Sequence, residues 1–284
     1  MALQLNEEQQ LLKAAVDRYI ERDYSFETRR ALLASNEPFG RDHWQRYAEL
    51  GWLGAGLAED LGGFGGGAVE QAVVAEGLGR GMALEPFVSS ACMGAEALSI
   101  ANDTENLAKL IAGELLVSVA FAETRGRYDL HHVETTARAD GAHYRLNGTK
   151  VAVFDATAAH MVIVAARIAG EPRDPSGIGL FVVSADNPAV KLEGYRTMDG
   201  TMAANLTFAD CEADLLVGPE GGSDALNQCV ERAIIARCAS AVGAMDTAYA
   251  ATLEYVKTSE QFGVKIGTFQ VLQHRLVEIG RAHV

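Results

Sequence analysis

The sequence predicts an α+β fold in which helical domains at both ends flank a central antiparallel β-domain. Three observations carry this prediction. Apolar residues recur at helical spacing through residues 6–112. Short runs with period-two alternation follow, in the style of strands. After Gly221-Gly222 the pattern returns to a long Ala-rich helix. Domains are therefore expected at 1–114 (helical), 115–218 (β) and 219–277 (the start of a second helical domain).

In the first domain, Asn6 followed by Gln9 has the form of a capping box, and Leu12, Val16, Tyr19 and Ile20 continue at helical spacing. Trp44, Tyr47 and Leu50 mark one face of a helix over 41–50. The glycine-rich run Leu61-Gly62-Gly63-Phe64-Gly65-Gly66-Gly67 breaks the pattern as a loop. Helices are expected again over 68–81, 89–100 and 104–112. In the β-domain, strands are read at 116–121, 143–146, 161–165 and 179–183, in a barrel or a sandwich. The dipeptide Asn147-Gly148 predicts a tight hairpin turn. The last domain opens with a helix from Asp224 to about Lys257. Its small residues Ala239, Ala241, Gly243 and Ala244 suit either close helix approach or simple core packing. Phe262-Gly263 predicts a turn, with a further helix from Thr268.

Composition narrows the function. An apolar content of 49% over 284 residues supports a sizeable core, and 22% charged residues is too few for a disordered chain. A formal net charge of -14 argues against nucleic acid and against anionic membranes as partners. No stretch is long and apolar enough for a membrane span. The four cysteines are scattered without a paired-cysteine or histidine spacing, so neither a metal site nor a disulfide framework is expected. Unpaired cysteines and a start without a basic or apolar leader point to the cytoplasm.

Four ordered motifs add a resemblance. Phe121-Ala122-Glu123-Thr124-Arg125-Gly126-Arg127-Tyr128-Asp129, with Thr135-Thr136-Ala137 after it, is similar to the acyl-CoA dehydrogenase pattern Thr-Glu-Pro-x-x-Gly-Ser-Asp followed by Thr-Thr-Ala. Leu146-Asn147-Gly148-Thr149-Lys150 resembles that family's Leu-Asn-Gly-x-Lys segment. The run Gln261-Phe262-Gly263 through Phe269-Gln270 resembles its Phe-Gly-x-x-Ile-x-x-Phe-Gln segment, and Glu59-Asp60-Leu61-Gly62-Gly63 its acidic residue before Gly-Gly. Tyr128-Asp129-Leu130 and Gly243-Ala244-Met245 resemble in particular the small subunits of pimeloyl-CoA dehydrogenases.

The resemblance implies a three-domain acyl-CoA dehydrogenase fold and FAD as cofactor. It implies an acyl-CoA substrate oxidised between its α and β carbons, and an electron-transfer flavoprotein or similar acceptor. It also implies a homo- or hetero-oligomer with a related large subunit. By position, Phe121, Ala122 and Phe154 would border the flavin ring. Tyr128 would border the FAD pyrophosphate and the substrate, and Arg237 the substrate's coenzyme A. Phe262 and Gln270 would reach the FAD of a neighbouring subunit. The chain departs from the pattern at Ala152, where a Trp is usual, at Ser259, where an Arg is usual, and at Ala236, where some members carry the catalytic base. No catalytic residue is assigned. The alternative function is a non-catalytic partner subunit. The resemblance further implies that the C-terminal domain is incomplete; Gly280 is expected to break a helix, and residues 278–284, which match a translated sequencing adapter, are expected to be a non-native tail.

Overall fold

The computed structural model describes residues 4–282 and, within the last helix, side chains only as far as residue 279. Six α-helices come first: α1 (Glu7–Asp23), α2 (Phe26–Ala34), α3 (Arg41–Glu49), α4 (Ala68–Arg80), α5 (Ala95–Ile100) and α6 (Thr104–Ile111). The capping box at α1 forms as expected: Asn6 Oδ1 accepts from the Gln9 N–H at 2.8 Å, and Gln9 Oε1 from the Asn6 N–H at 3.0 Å. Helix α2 carries no buried residue, so the sequence gives it no periodic apolar face to read. The helix expected over 89–100 is two elements, a buried π-helical turn (Phe87–Gly94) running into α5.

The middle of the chain forms β1 (Val117–Ala120), β2 (Thr136–Asp140), β3 (His143–Phe154), β4 (Met161–Arg167), β5 (Ile178–Ser184), β6 (Val190–Arg196) and β7 (Met202–Val217). The pairings β4–β5, β5–β7, β7–β3, β3–β2 and β2–β4 close a ring, so the domain is a barrel. It is not wholly antiparallel: β1 runs parallel to β4, with Val117 opposite Met161, and β2 meets the end of β4 in parallel. Leu146, Phe181 and Leu206 fill its interior.

The turn expected at Asn147-Gly148 lies elsewhere. The β2–β3 hairpin turns at Gly141, whose φ is 65°, and Asn147-Gly148 sits inside β3. It faces a bulge in β7, where Asp210 has φ 53°. Asn147 Oδ1 accepts from the Asp210 N–H at 2.9 Å, and so satisfies a donor that the bulge takes out of the ladder.

Helix α7 (Gly222–Thr258) then crosses both domains, followed by a hairpin of β8 (Glu260–Gln261) and β9 (Val264–Lys265) and by α8 (Gln270–Ala282). Phe262 and Gly263, at φ 54° and 76°, form the hairpin's turn as expected. Helix α8 runs through Gly280 to Ala282, so the expected break at that glycine is absent. Residues 283–284 of the expected tail lie outside the described residues. Where α4 crosses α7, small residues permit backbone contact. A Cβ on Gly79 would stand 2.0 Å from the Ser240 carbonyl oxygen, and one on Gly243 1.9 Å from that of Glu76. Among the described residues, no helix is long and apolar enough to cross a membrane.

Candidate functional site

The end of β1, the end of β3, the π-helical turn and the middle of α7 enclose an apolar groove of about 260 Å³. Its walls include Met93, Val119, Phe121, Phe154, Ala233 and Ile234. Phe154 reaches it because β3 bulges between Lys150 and Val153, with Ala152 at φ 51°. Strict alternation from buried Lys150 would place residue 154 inside the barrel. The extra residue shifts the phase, so Val153 is buried and Phe154 is 42% exposed toward α7. The Arg237 guanidinium lies 5.8 Å from the centre of the Phe154 ring. Arg237 is exposed, and among the described residues it makes no ion pair. The groove therefore offers carbon walls, two aromatic rings and one available cation. That set fits a planar aromatic ring together with an anionic ligand.

Beside the groove lies a smaller cavity of about 40 Å³, lined by Glu85, Asp155, Thr201, Arg237 and Ser240. Ser89, on the groove wall, donates to Asp155 Oδ2 at 2.5 Å. Burial pushes the Asp155 carboxyl up to about 6 against the pull of that bond and of Arg237. Glu85 is held from the other side: it accepts from the Gly40 N–H at 3.2 Å and from the Tyr47 hydroxyl at 3.2 Å, with the Tyr24 hydroxyl at 3.4 Å. Burial still raises its carboxyl to about 7. These two carboxyls left no trace in the sequence, where each is one acidic residue among 38.

Glu85 gives a pH prediction. Its folded pKa lies above its unfolded one, near 4.5, so the folded state holds a proton that the unfolded state has lost. Its stabilising contribution is present below pH 4.5 and is lost as pH rises through about 7. The charged form then costs up to ~3 kcal/mol at neutral pH. Glu85→Gln is expected to flatten the stability profile across that window and to stabilise the protein by about 1–3 kcal/mol at pH 8, as read by urea unfolding at several pH values.

Under the groove, Lys150 and Glu123 form a buried ion pair at 2.7 Å, with side chains 0% and 4% exposed. Lys150 Nζ also donates to the Phe121 carbonyl at 3.2 Å, and the Val151 N–H donates to the Ala122 carbonyl at 2.9 Å. These bonds fix the strand end that carries Phe121. Burial drives the Lys150 amine down to about 8. Burial opposes the charge on Glu123 as well, but the ammonium and three donors outweigh it and its carboxyl stays below the usual range.

Of the residues singled out from sequence, the structure thus brings Phe121, Phe154 and Arg237 together, with Ala122 beside them. It places the others apart. Tyr128 is 98% exposed on the loop between β1 and β2, and Phe262 is 94% exposed at the β8–β9 turn. Gln270 opens α8 on the surface. Ala236, next to Arg237, is fully buried against the helical core.

Three family models match nearly the whole chain: the acyl-CoA dehydrogenase N-terminal domain over residues 6–113, the middle domain over 118–211 and the C-terminal domain over 220–282. Acyl-CoA dehydrogenase FadE27 of Mycobacterium tuberculosis is 27% identical, over 94% of this chain and 69% of that protein. The mitochondrial long-chain specific acyl-CoA dehydrogenase of Sus scrofa is 31% identical, over 86% of this chain and 59% of that protein. Among solved structures, the Tcur3481-Tcur3483 steroid ACAD G363A variant superposes with a TM-score of 0.85 at 32% identity, covering 96% of this chain and 74% of that one. The ChsE4-ChsE5 complex of Mycobacterium tuberculosis superposes with a TM-score of 0.86 at 26% identity, covering 98% and 74%.

Proposed function

The chain belongs to the acyl-CoA dehydrogenase family, and from that premise we propose that it is a subunit of an FAD-dependent enzyme that dehydrogenates an acyl-CoA thioester between its α and β carbons. The observation that carries this reading is the groove in which Phe121, Phe154 and Arg237 converge between barrel and helix. When bound, the flavin supplies the acceptor for the hydride from the β-carbon. The chain's own part is positioning. Phe121 and Phe154 exclude water from one side of the ring site. Arg237 attracts an anionic portion of the ligand, and the Lys150–Glu123 pair holds the strand end in place. An electron-transfer flavoprotein or similar acceptor, and a related large subunit, are the partners this reading takes. A dicarboxylic or long acyl chain is its substrate class, from the likeness to pimeloyl-CoA dehydrogenase small subunits.

Ala236 and Ala152 favour the second reading, a non-catalytic partner in a heteromeric enzyme. Ala236 offers no group that takes a proton, and Ala152 offers no ring to a flavin. The two superposable structures with paired names, Tcur3481-Tcur3483 and ChsE4-ChsE5, lend it support. The visible absorption spectrum of the purified protein, alone and co-expressed with a related subunit, tests both. Bound flavin that is bleached by an acyl-CoA supports the enzyme, and Arg237→Ala is then expected to weaken thioester binding by about tenfold or more, about 1.4 kcal/mol. Flavin held by the partner alone supports the second reading. No flavin in either preparation overturns the first.

A further inference from the structure

The loop between β1 and β2 carries a cluster of which only Glu123 supports the groove. Glu123, His132 and Glu134 bring two carboxylate oxygens and an imidazole nitrogen within 4.8 Å of one another. His132 is 6% exposed, and neither ring nitrogen has a hydrogen-bond partner among the described residues. A buried imidazole in that state forfeits its bonds to water without replacement, which is costly unless a ligand restores them. His132 Nε2 lies 3.5 Å from Glu134 Oε1. Two ligands of a tetrahedral ion with bonds near 2.1 Å stand about 3.4 Å apart.

We propose that Glu123, His132 and Glu134 form a binding site for a first-row divalent cation such as Zn²⁺, with water completing the shell. One imidazole with two carboxylates suits such ions better than Mg²⁺ or Ca²⁺, which favour all-oxygen shells. Glu123 Oε1 is occupied by Lys150 and Thr135, whereas among the described residues Oε2 accepts only the Glu134 N–H at 2.7 Å and keeps lone-pair capacity. Arg125, 3.6 Å from Glu134 Oε1, is largely exposed and free to swing aside.

The loop is held ready for the ion. Buried Arg167 donates to the carbonyls of His131 at 2.8 Å and Val133 at 3.0 Å, on either side of His132. Glu123 receives the N–H groups of Glu134 and Thr135. The ligands therefore sit on backbone fixed by second-layer bonds, as a metal site requires. The bound ion would fasten residues 123–134, which include Arg125, Arg127 and Tyr128.

Titration of the whole protein with Co²⁺, followed by displacement with Zn²⁺, tests this. One Co²⁺ per chain with visible d–d absorption is expected, lost to Zn²⁺. His132→Gln and Glu134→Gln should each weaken it by about tenfold or more, and Asp186→Asn, on a distant loop, should not. Glu134 is half-exposed, so its variant keeps the fold even where the histidine variant does not. Absence of a one-to-one site, or equal affinity in Glu134→Gln and the parent protein, overturns the proposal.

Discussion

Lys150→Met is expected to be among the most damaging single changes in the chain, lowering stability by about 3–5 kcal/mol. The substitution keeps the length and the carbon stem but leaves the Glu123 carboxylate with its charge buried and unmatched. Glu123 is also a structural hub: its oxygens receive the N–H groups of Glu134 and Thr135 and the Thr135 hydroxyl. A protonated Glu123 relieves the stranded charge but gives weaker bonds to those donors. The loss should therefore spread to the loop between β1 and β2 and to the Phe121 strand end. A domain of this size loses about 2–4 °C per kcal/mol, so a fall of roughly 6–20 °C in melting temperature is expected. Replacing both partners as Glu123→Gln with Lys150→Met should cost less than the sum of the single changes, because no charge is then stranded. Additive losses in that double-mutant cycle would show that the pair contributes nothing beyond its separate contacts.

That pair shows how far the sequence is legible and where it stops. Glu123 and Lys150 each fall inside a motif that marks the family, yet nothing in either motif says that they touch; they are 27 positions apart, with β2 and the first part of β3 between them. Long periodic segments were readable because one face of each is buried. Helices α1, α3, α4 and α7 belong to this group, whereas strands β1, β4 and β5 are buried on both faces and were readable as short apolar runs. Strand β6 was not readable, since it is exposed along almost its whole length and has no core face to leave an alternating signature. The Asn147-Gly148 turn misled because the same dipeptide that suits a hairpin also suits the site opposite a bulge. In the groove, Phe121, Phe154 and Arg237 came from positional likeness alone. Glu85, Ser89 and Asp155 left no pattern, because a lone polar residue becomes special only when folding buries it. The Glu123, His132 and Glu134 cluster was invisible for a related reason. Its spacing matches none of the repeated Cys or His signatures, and the loop that gathers it is shaped by Arg167, far along the chain.

Gly243→Val is expected to couple stability to ligand binding through one contact. The parent glycine lets α7 lie so close to α4 that a new Cβ would stand 1.9 Å from the Glu76 carbonyl oxygen and 2.9 Å from the Arg80 nitrogen. Both are backbone atoms, so no side chain can swing aside and the helices must part. Overpacking of this kind costs about 1–3 kcal/mol, and a branched side chain belongs at the upper end. Gly79→Ala, whose Cβ would stand 2.0 Å from the Ser240 carbonyl oxygen, should behave alike from the opposite helix. Gly218→Ala, with nothing within 4 Å of the added carbon, should be within about 0.5 kcal/mol of the parent. The functional consequence follows from what else α7 carries. The same helix that carries Gly243 carries Ala233, Ile234 and Arg237 into the groove. Parting α4 from α7 tilts that wall and moves the Arg237 guanidinium away from Phe154. Ligand affinity at the groove should therefore fall with stability in Gly243→Val and Gly79→Ala, and stay at the parent level in Gly218→Ala. Thermal melts and binding titrations on the three variants make the comparison. A Gly243→Val protein that melts early yet binds its ligand as tightly as the parent would show that the crossing and the groove are mechanically independent.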